Sequence, residues 1–115
     1  MVAARWLILL LALAGGVAGH TFAVEVVVEP GVLRRQALVR MVRQDCGSCH
    51  GLTLNGGIGP PLTVAALEQQ SQESLTATIL HGRPGTPMPP FLGLLEEQEV
   101  RWIVRQLLAG FPEEH

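Results

Sequence analysis

Cys46-Gly47-Ser48-Cys49-His50 decides the reading of this chain. A C-x-x-C-H run is an attachment signature for a c-type haem. Two thiols one helical turn apart suit thioether bonds to the two porphyrin vinyl groups, and the next residue turns an imidazole toward the iron. A bound haem would carry the redox chemistry, and the protein would set its ligands, burial and docking. The other readings of the run are weaker. Cys46 and Cys49 are the only cysteines, whereas a structural zinc site needs four N or S ligands. A thioredoxin-like dithiol needs a βαβ setting, and no strand–helix–strand alternation is present. A plain disulfide would leave His50 unexplained.

The sequence of 115 residues allows one small domain. Residues 1–23 read as a secretory signal peptide: Arg5 gives a positive start, Trp6 to Ala14 is almost wholly apolar, and Gly15 to Gly19 supplies small residues for cleavage. Cleavage after Ala18, Gly19 or Ala23 fits equally. An uncleaved anchor is the alternative, but the apolar run is shorter than the roughly 20 residues of a membrane span. The expectation is therefore a periplasmic protein with no stable membrane span after cleavage. No cysteine stands near the cut for a lipid anchor.

The eight basic residues are all arginines, against ten acids. Loss of Arg5 with the leader leaves a mildly acidic domain. Nucleic-acid binding, which wants a basic patch, is not expected. A domain this small has a limited core, and a covalently held porphyrin would add apolar bulk at its centre.

Working outward from the motif, residues 24–115 form the expected domain, with 24–31 as an extended arm. Phe22, Val24, Val26 and Val28 alternate with other residues, as in an arm or short strand, and Pro30-Gly31 breaks the pattern. From Val32 to Gln44 the period becomes helical, with Leu38, Met41 and Val42 on one face and Arg34, Arg35, Arg40 and Arg43 elsewhere. Gly51 to Leu62 is a glycine-rich loop suited to wrapping a flat ligand; no Gly-Lys-Ser/Thr follows to make it a phosphate cradle. Thr63 caps a short predicted helix reaching about Gln70, and Ser71 caps another reaching about His81. Pro84 to Pro90 is a stiff loop. Glu96 to Ala109 is the last predicted helix, with acids at its start and a stripe of Val100, Ile103, Val104, Leu107 and Leu108.

His50 is the expected proximal ligand. Its second ring nitrogen needs an acceptor, and the Pro60 carbonyl is the candidate, since proline has no N–H to turn inward. Met88 is the expected distal ligand, held in a loop stiffened by prolines 87, 89 and 90. Met88 as a core gap-filler and His81 as ligand are the competing readings. Met41 belongs to the helix stripe, and His20 and His115 sit at the chain ends. Histidine–methionine ligation raises a haem's potential and leaves no open position, which favours electron transfer over oxygen or peroxide chemistry.

These features together resemble the class I monohaem cytochromes c: Cys46-x-x-Cys49-His50, Gly59-Pro60-x-Leu62, Met88-Pro89-x-Phe91 and an amphipathic last helix. The runs from Arg43 to Leu54, Gly56 to Leu62 and Ile79 to Pro90 narrow the likeness to the NirC-type small cytochromes of denitrification (nitrite reductase) clusters. The resemblance implies an all-α fold of three to four helices around one covalent haem c. It implies a periplasmic carrier of single electrons rather than an enzyme. Its redox protein partner would be a dihaem nitrite reductase or a protein maturing d-type haem. Many members carry a glycine eight residues before the first cysteine and an aromatic facing it on the last helix; here those places hold Leu38 and Gln106, a volume exchange.

Trp102 falls off the apolar stripe. It either packs under the arm or is an exposed docking aromatic. Ile58 and Pro61 are expected around an exposed haem edge, and Arg83 either pairs with a propionate or is solvated. The alternative function is a haem protein that binds nitric oxide or peroxide when Met88 dissociates.

Overall fold

The structure, a computed structural model, describes residue 19, residues 23–24 and residues 26–113. Most of the expected signal segment, with His20, Phe22 and His115, lies outside the described residues.

The described fold is all-α. One continuous helical run carries the motif: α1 (Val32–Met41), a wider π-helical turn (Val42–Cys46) and α2 (Gly47–His50). The short α3 (Val64–Leu67), then α4 (Gln72–His81) and α5 (Glu97–Leu108) complete the order. Polar side chains mark the starts. The Thr63 hydroxyl accepts from Ala66 N at 3.4 Å, and the Ser71 hydroxyl accepts from Ser74 N at 3.1 Å. α3 stops at Leu67, short of the expected Gln70, since Gln70 N turns back to Leu67 O at 2.9 Å and closes a turn.

The core is built chiefly between α4 and α5, and the first helical run adds Leu38 and Val42 to the same cluster. Leu38 and Val42 are wholly buried, as are Val100 and Val104 on α5. Ile103 and Leu107 complete the i, i+3, i+4, i+7 stripe on α5, and Leu54, Leu67, Leu75, Leu80 and Leu95 close the cluster. Met41 and Leu108 pack on its margin.

Trp102 is also inside, with 4 % of its surface exposed, so it is not a docking aromatic. It borders a shallow groove with Val32, Gln36 and Val39 of α1 and Pro112 of the C-terminal tail; no arm residue lines that groove. Gln106 is only half-buried, so it meets no demand for a buried partner. The ring that α5 gives the interior is Trp102, one turn earlier.

The arm forms no strand among the described residues. Val24, Val26, Val27 and Val28 stand exposed, because no second strand lies alongside to use their alternation. Glu29 ties the arm's end to Arg105 of α5.

A second polar tie joins α1 and α5 at their N-terminal ends. Arg34 donates to both carboxylate oxygens of Glu99, and Glu99 Oε2 also accepts from Glu96 N at 3.0 Å, which satisfies an otherwise orphaned donor at the start of α5. The Arg34 hydrogen bonds, helped by that backbone donor, hold the Glu99 carboxyl below its ordinary range.

Truncating Leu38 to Ala is expected to cost about 3 kcal/mol in denaturant unfolding, because its pocket is closed on all sides. Glu99→Gln is expected to cost about 1 kcal/mol at pH 7. Since the folded pKa is depressed, Glu99 stabilises the fold above its unfolded pKa, and that contribution fades as pH falls through the folded value. Unfolding curves of the two proteins should therefore converge in acid.

Candidate functional site

The site grows from the end of the first helical run. Helix ends leave carbonyls without intrahelical partners, and here the glycine-rich loop supplies the donors. Gly59 N donates to Cys49 O at 2.8 Å, and Gly56 N donates to His50 O at 2.8 Å. Gly51 leaves the helix at φ +88°, and a side chain there would meet Gly56 O at 2.6 Å. Leu62 N then donates to Leu54 O at 2.9 Å, which closes the loop over buried Leu54.

This winding carries the Pro60 carbonyl to 2.7 Å from Nδ1 of His50. A carbonyl only accepts, so Nδ1 carries the proton and Nε2 keeps its lone pair. The ring is therefore presented in the tautomer a metal requires, with its plane fixed by a backbone group. Gly59 lies flat against the imidazole: a methyl group there would sit 2.8 Å from both Cε1 and Nδ1.

Cys46 and Cys49 are both half-buried and unpaired, one turn apart. Burial, with the adjoining Asp45 carboxylate, pushes the Cys46 thiol up to about 11. Among the described residues no cluster of three or more His, Cys, Asp or Glu could hold a bare metal ion. An iron here would have to bring its own equatorial ligands. The donor set of two free thiols and one oriented imidazole fits a porphyrin iron in this way and does not fit zinc.

Met88 stands on a second loop, welded to the end of α4. Its carbonyl accepts from Arg83 N at 3.2 Å, and its N–H reaches the Thr86 hydroxyl at 3.3 Å. Phe91 N and Leu92 N then donate to Ile79 O and Leu80 O at 3.1 and 3.0 Å. Gly82, at φ +67°, is buried where a side chain would meet Met88 O and Pro89 C at 2.7 Å. Met88 is half-buried, while His81 and Arg83 are exposed.

Ile58 and Pro61 are exposed, as are Leu52, Leu92 and Leu94, on the two loops that follow the motif and Met88. Leu52 is a contribution the sequence reading misses. Its backbone closes on Gly47, where a side chain would lie 3.3 Å from Leu52 Cα. Arg43 is also missed: it is drawn inward by the C-terminal tail, and its only sequence signal is its place three residues before Cys46.

Comparison with known proteins agrees with this geometry. A family model described as cytochrome C oxidase, cbb3-type, subunit III, matches residues 34–105. Cytochrome c55X of Pseudomonas aeruginosa is 58 % identical over 78 residues, covering 67 % of this chain and 66 % of that protein. Cytochrome c55X of Paracoccus denitrificans is 47 % identical over 106 residues, covering 91 % of this chain and 94 % of that one. The solved c-type cytochrome NirC superposes with a TM-score of 0.69 at 52 % identity, over 70 % of this chain and 95 % of its own. The dihydro-heme d1 dehydrogenase NirN, solved in complex with DHE, contains a similar stretch: TM-score 0.57, 36 % identity, over 64 % of this chain and 16 % of that one.

Gly59→Ala is expected to push the imidazole off Pro60. Exchange of the Nδ1 proton, followed by NMR, should quicken by roughly tenfold as one hydrogen bond is lost; an unchanged rate would show that the loop moves aside.

Proposed function

This chain belongs to the cytochrome c55X family of c-type cytochromes, and we propose that it shuttles single electrons in the handling of d1-type haem. It carries one covalently bound haem c and acts as an electron carrier, not an enzyme. When bound, that haem supplies a one-electron iron couple. Cys46 and Cys49 anchor the porphyrin through thioethers. His50, with Nδ1–H donating to Pro60, would hold the iron through Nε2, and Met88 would hold it through its thioether. The carrier works in the periplasm, delivered by the segment 1–23; no helix among the described residues is long and apolar enough to cross a membrane.

The observation that carries the partner assignment is the likeness to the dihydro-heme d1 dehydrogenase. There a stretch similar to this chain is one part of a much larger protein. A dehydrogenation releases two electrons and two protons, and a monohaem protein takes one electron at a time. Two molecules of this protein would then be reduced for each d1-type haem completed, with the protons leaving to solvent. The nitrite reductase that uses the finished cofactor is the second candidate partner, since either would meet the same exposed edge. Leu52, Ile58 and Pro61 offer an apolar surface of the small kind that short-lived redox encounters use.

The test has two parts. The oxidised protein should show the far-red methionine–iron band, and Met88→Ala should abolish it. Mixed with the dehydrogenase and its dihydro substrate, the protein should be reduced at two molecules per substrate; absence of any reduction would move the assignment to nitrite reductase. Rapid carbon monoxide binding by the ferrous protein at neutral pH would instead favour the ligand-binding reading, in which Met88 leaves the iron.

A further inference from the structure

The first helical run is not a plain α-helix, and the irregularity sits just ahead of the haem motif. Over Val42–Cys46 the turns widen, and the amide of Gly47 reaches back to Val42 O, five residues earlier. Such a turn takes up one extra residue and recurs at functional sites. Its consequence here is angular. In an unbroken α-helix His50 would stand about 120° round the axis from Leu38; one extra residue subtracts about 100° and leaves His50 about 20° from it. The wide turn thus aligns the proximal imidazole with the face of α1 that is sealed in the core.

Wide turns are rare within α-helices, and uncommon backbone conformations persist where the surrounding contacts over-determine them. Gln44 and Asp45 are exposed, and the one local side-chain tie is the Ser48 hydroxyl donating to Asp45 O at 2.7 Å. Val42 is fully buried. Arg43 is the grip from outside the helix: its side chain is 11 % exposed and lies under the C-terminal tail. Its Nη2 donates to Phe111 O at 3.1 Å and Pro112 O at 2.9 Å, and its Nε reaches Pro112 O at 3.3 Å. The guanidinium also stacks 5.6 Å from the Phe111 ring centre and pairs with Glu113 at 3.3 Å. Phe111 and Cys46 both pack on the margin of the same core.

We propose that Arg43, strapped by Phe111–Glu113, is a positioning residue: it holds the wide turn and so sets the rotation of His50 and the two sulfurs about the helix axis. The inference rests on the haem reading above, and its test is separable from it.

Haem-loaded protein is compared as wild type, Arg43→Gln, Arg43→Lys and Leu67→Ala. Leu67 is a buried core residue of α3 and serves as a control for lost stability alone. The readouts are the paramagnetically shifted His50 ring and haem-methyl proton resonances of the oxidised form, with the far-red band. Arg43→Gln should move the shifted resonances and weaken the band at least twofold. Arg43→Lys keeps the charge but lacks the two-armed fork, and should fall between. Leu67→Ala should unfold earlier yet keep the wild-type pattern. If Arg43→Gln does not accumulate, Arg43→Lys decides by the same shifts. Wild-type spectra in the Arg43 variants, or equal changes in Leu67→Ala, would overturn the positioning role. A colourless wild type would overturn the haem reading as well.

Discussion

The hydrogen bond between His50 Nδ1 and Pro60 O is the constraint around which the rest is arranged. A histidine at a helix end can rotate and can carry its proton on either nitrogen. One backbone acceptor removes both freedoms. To deliver that acceptor, the chain must turn back on its own helix end within ten residues. The route runs so close that Gly51, Gly57 and Gly59 each lack room for a side chain. The same route satisfies the terminal carbonyls of Cys49 and His50. Loop geometry, helix capping and imidazole orientation are thus one solution to one steric problem.

Core packing serves the same end at longer range. α5 offers a wide apolar face that α4 covers most closely, and the first helical run contributes Leu38 and Val42 to the same core. At one end Arg34 and Glu99 tie α1 to α5; at the other Arg43 grips the tail that follows α5. The motif is the far end of a helix fixed at both ends of its packed length, which gives a small domain a rigid place to mount a prosthetic group.

Much of this was legible in the residues. The spacing of Cys46, Cys49 and His50 marks them out, and the structure sets them together at the end of the first helical run. Pro60 could be chosen because proline has a carbonyl and no competing N–H. Thr63, Ser71 and the α5 stripe are local signals, and local hydrogen bonds realise them. What stayed hidden depends on partners distant in sequence. Arg43 looks like one more surface arginine until the tail 68 to 69 residues later closes over it. Trp102 lies off the α5 stripe, yet the groove it borders with α1 and the tail leaves it buried. The arm's alternation promised a possible strand, but alternation needs a neighbour to become a sheet, and the described fold offers none. The wide turn at Val42–Cys46 has no composition of its own, because its sequence would also suit an ordinary helix.

The way the Met88 loop is fastened bears on how fast it can open. Gly82 leaves no slack between the end of α4 and the backbone of Met88 to Pro90, and Phe91 and Leu92 draw on carbonyls of the last turn of that helix. The loop therefore has no free hinge. To swing outward it must unravel the final turn of α4 with it, so its motion belongs to the slow class of local unfolding rather than to the fast class of flapping surface segments.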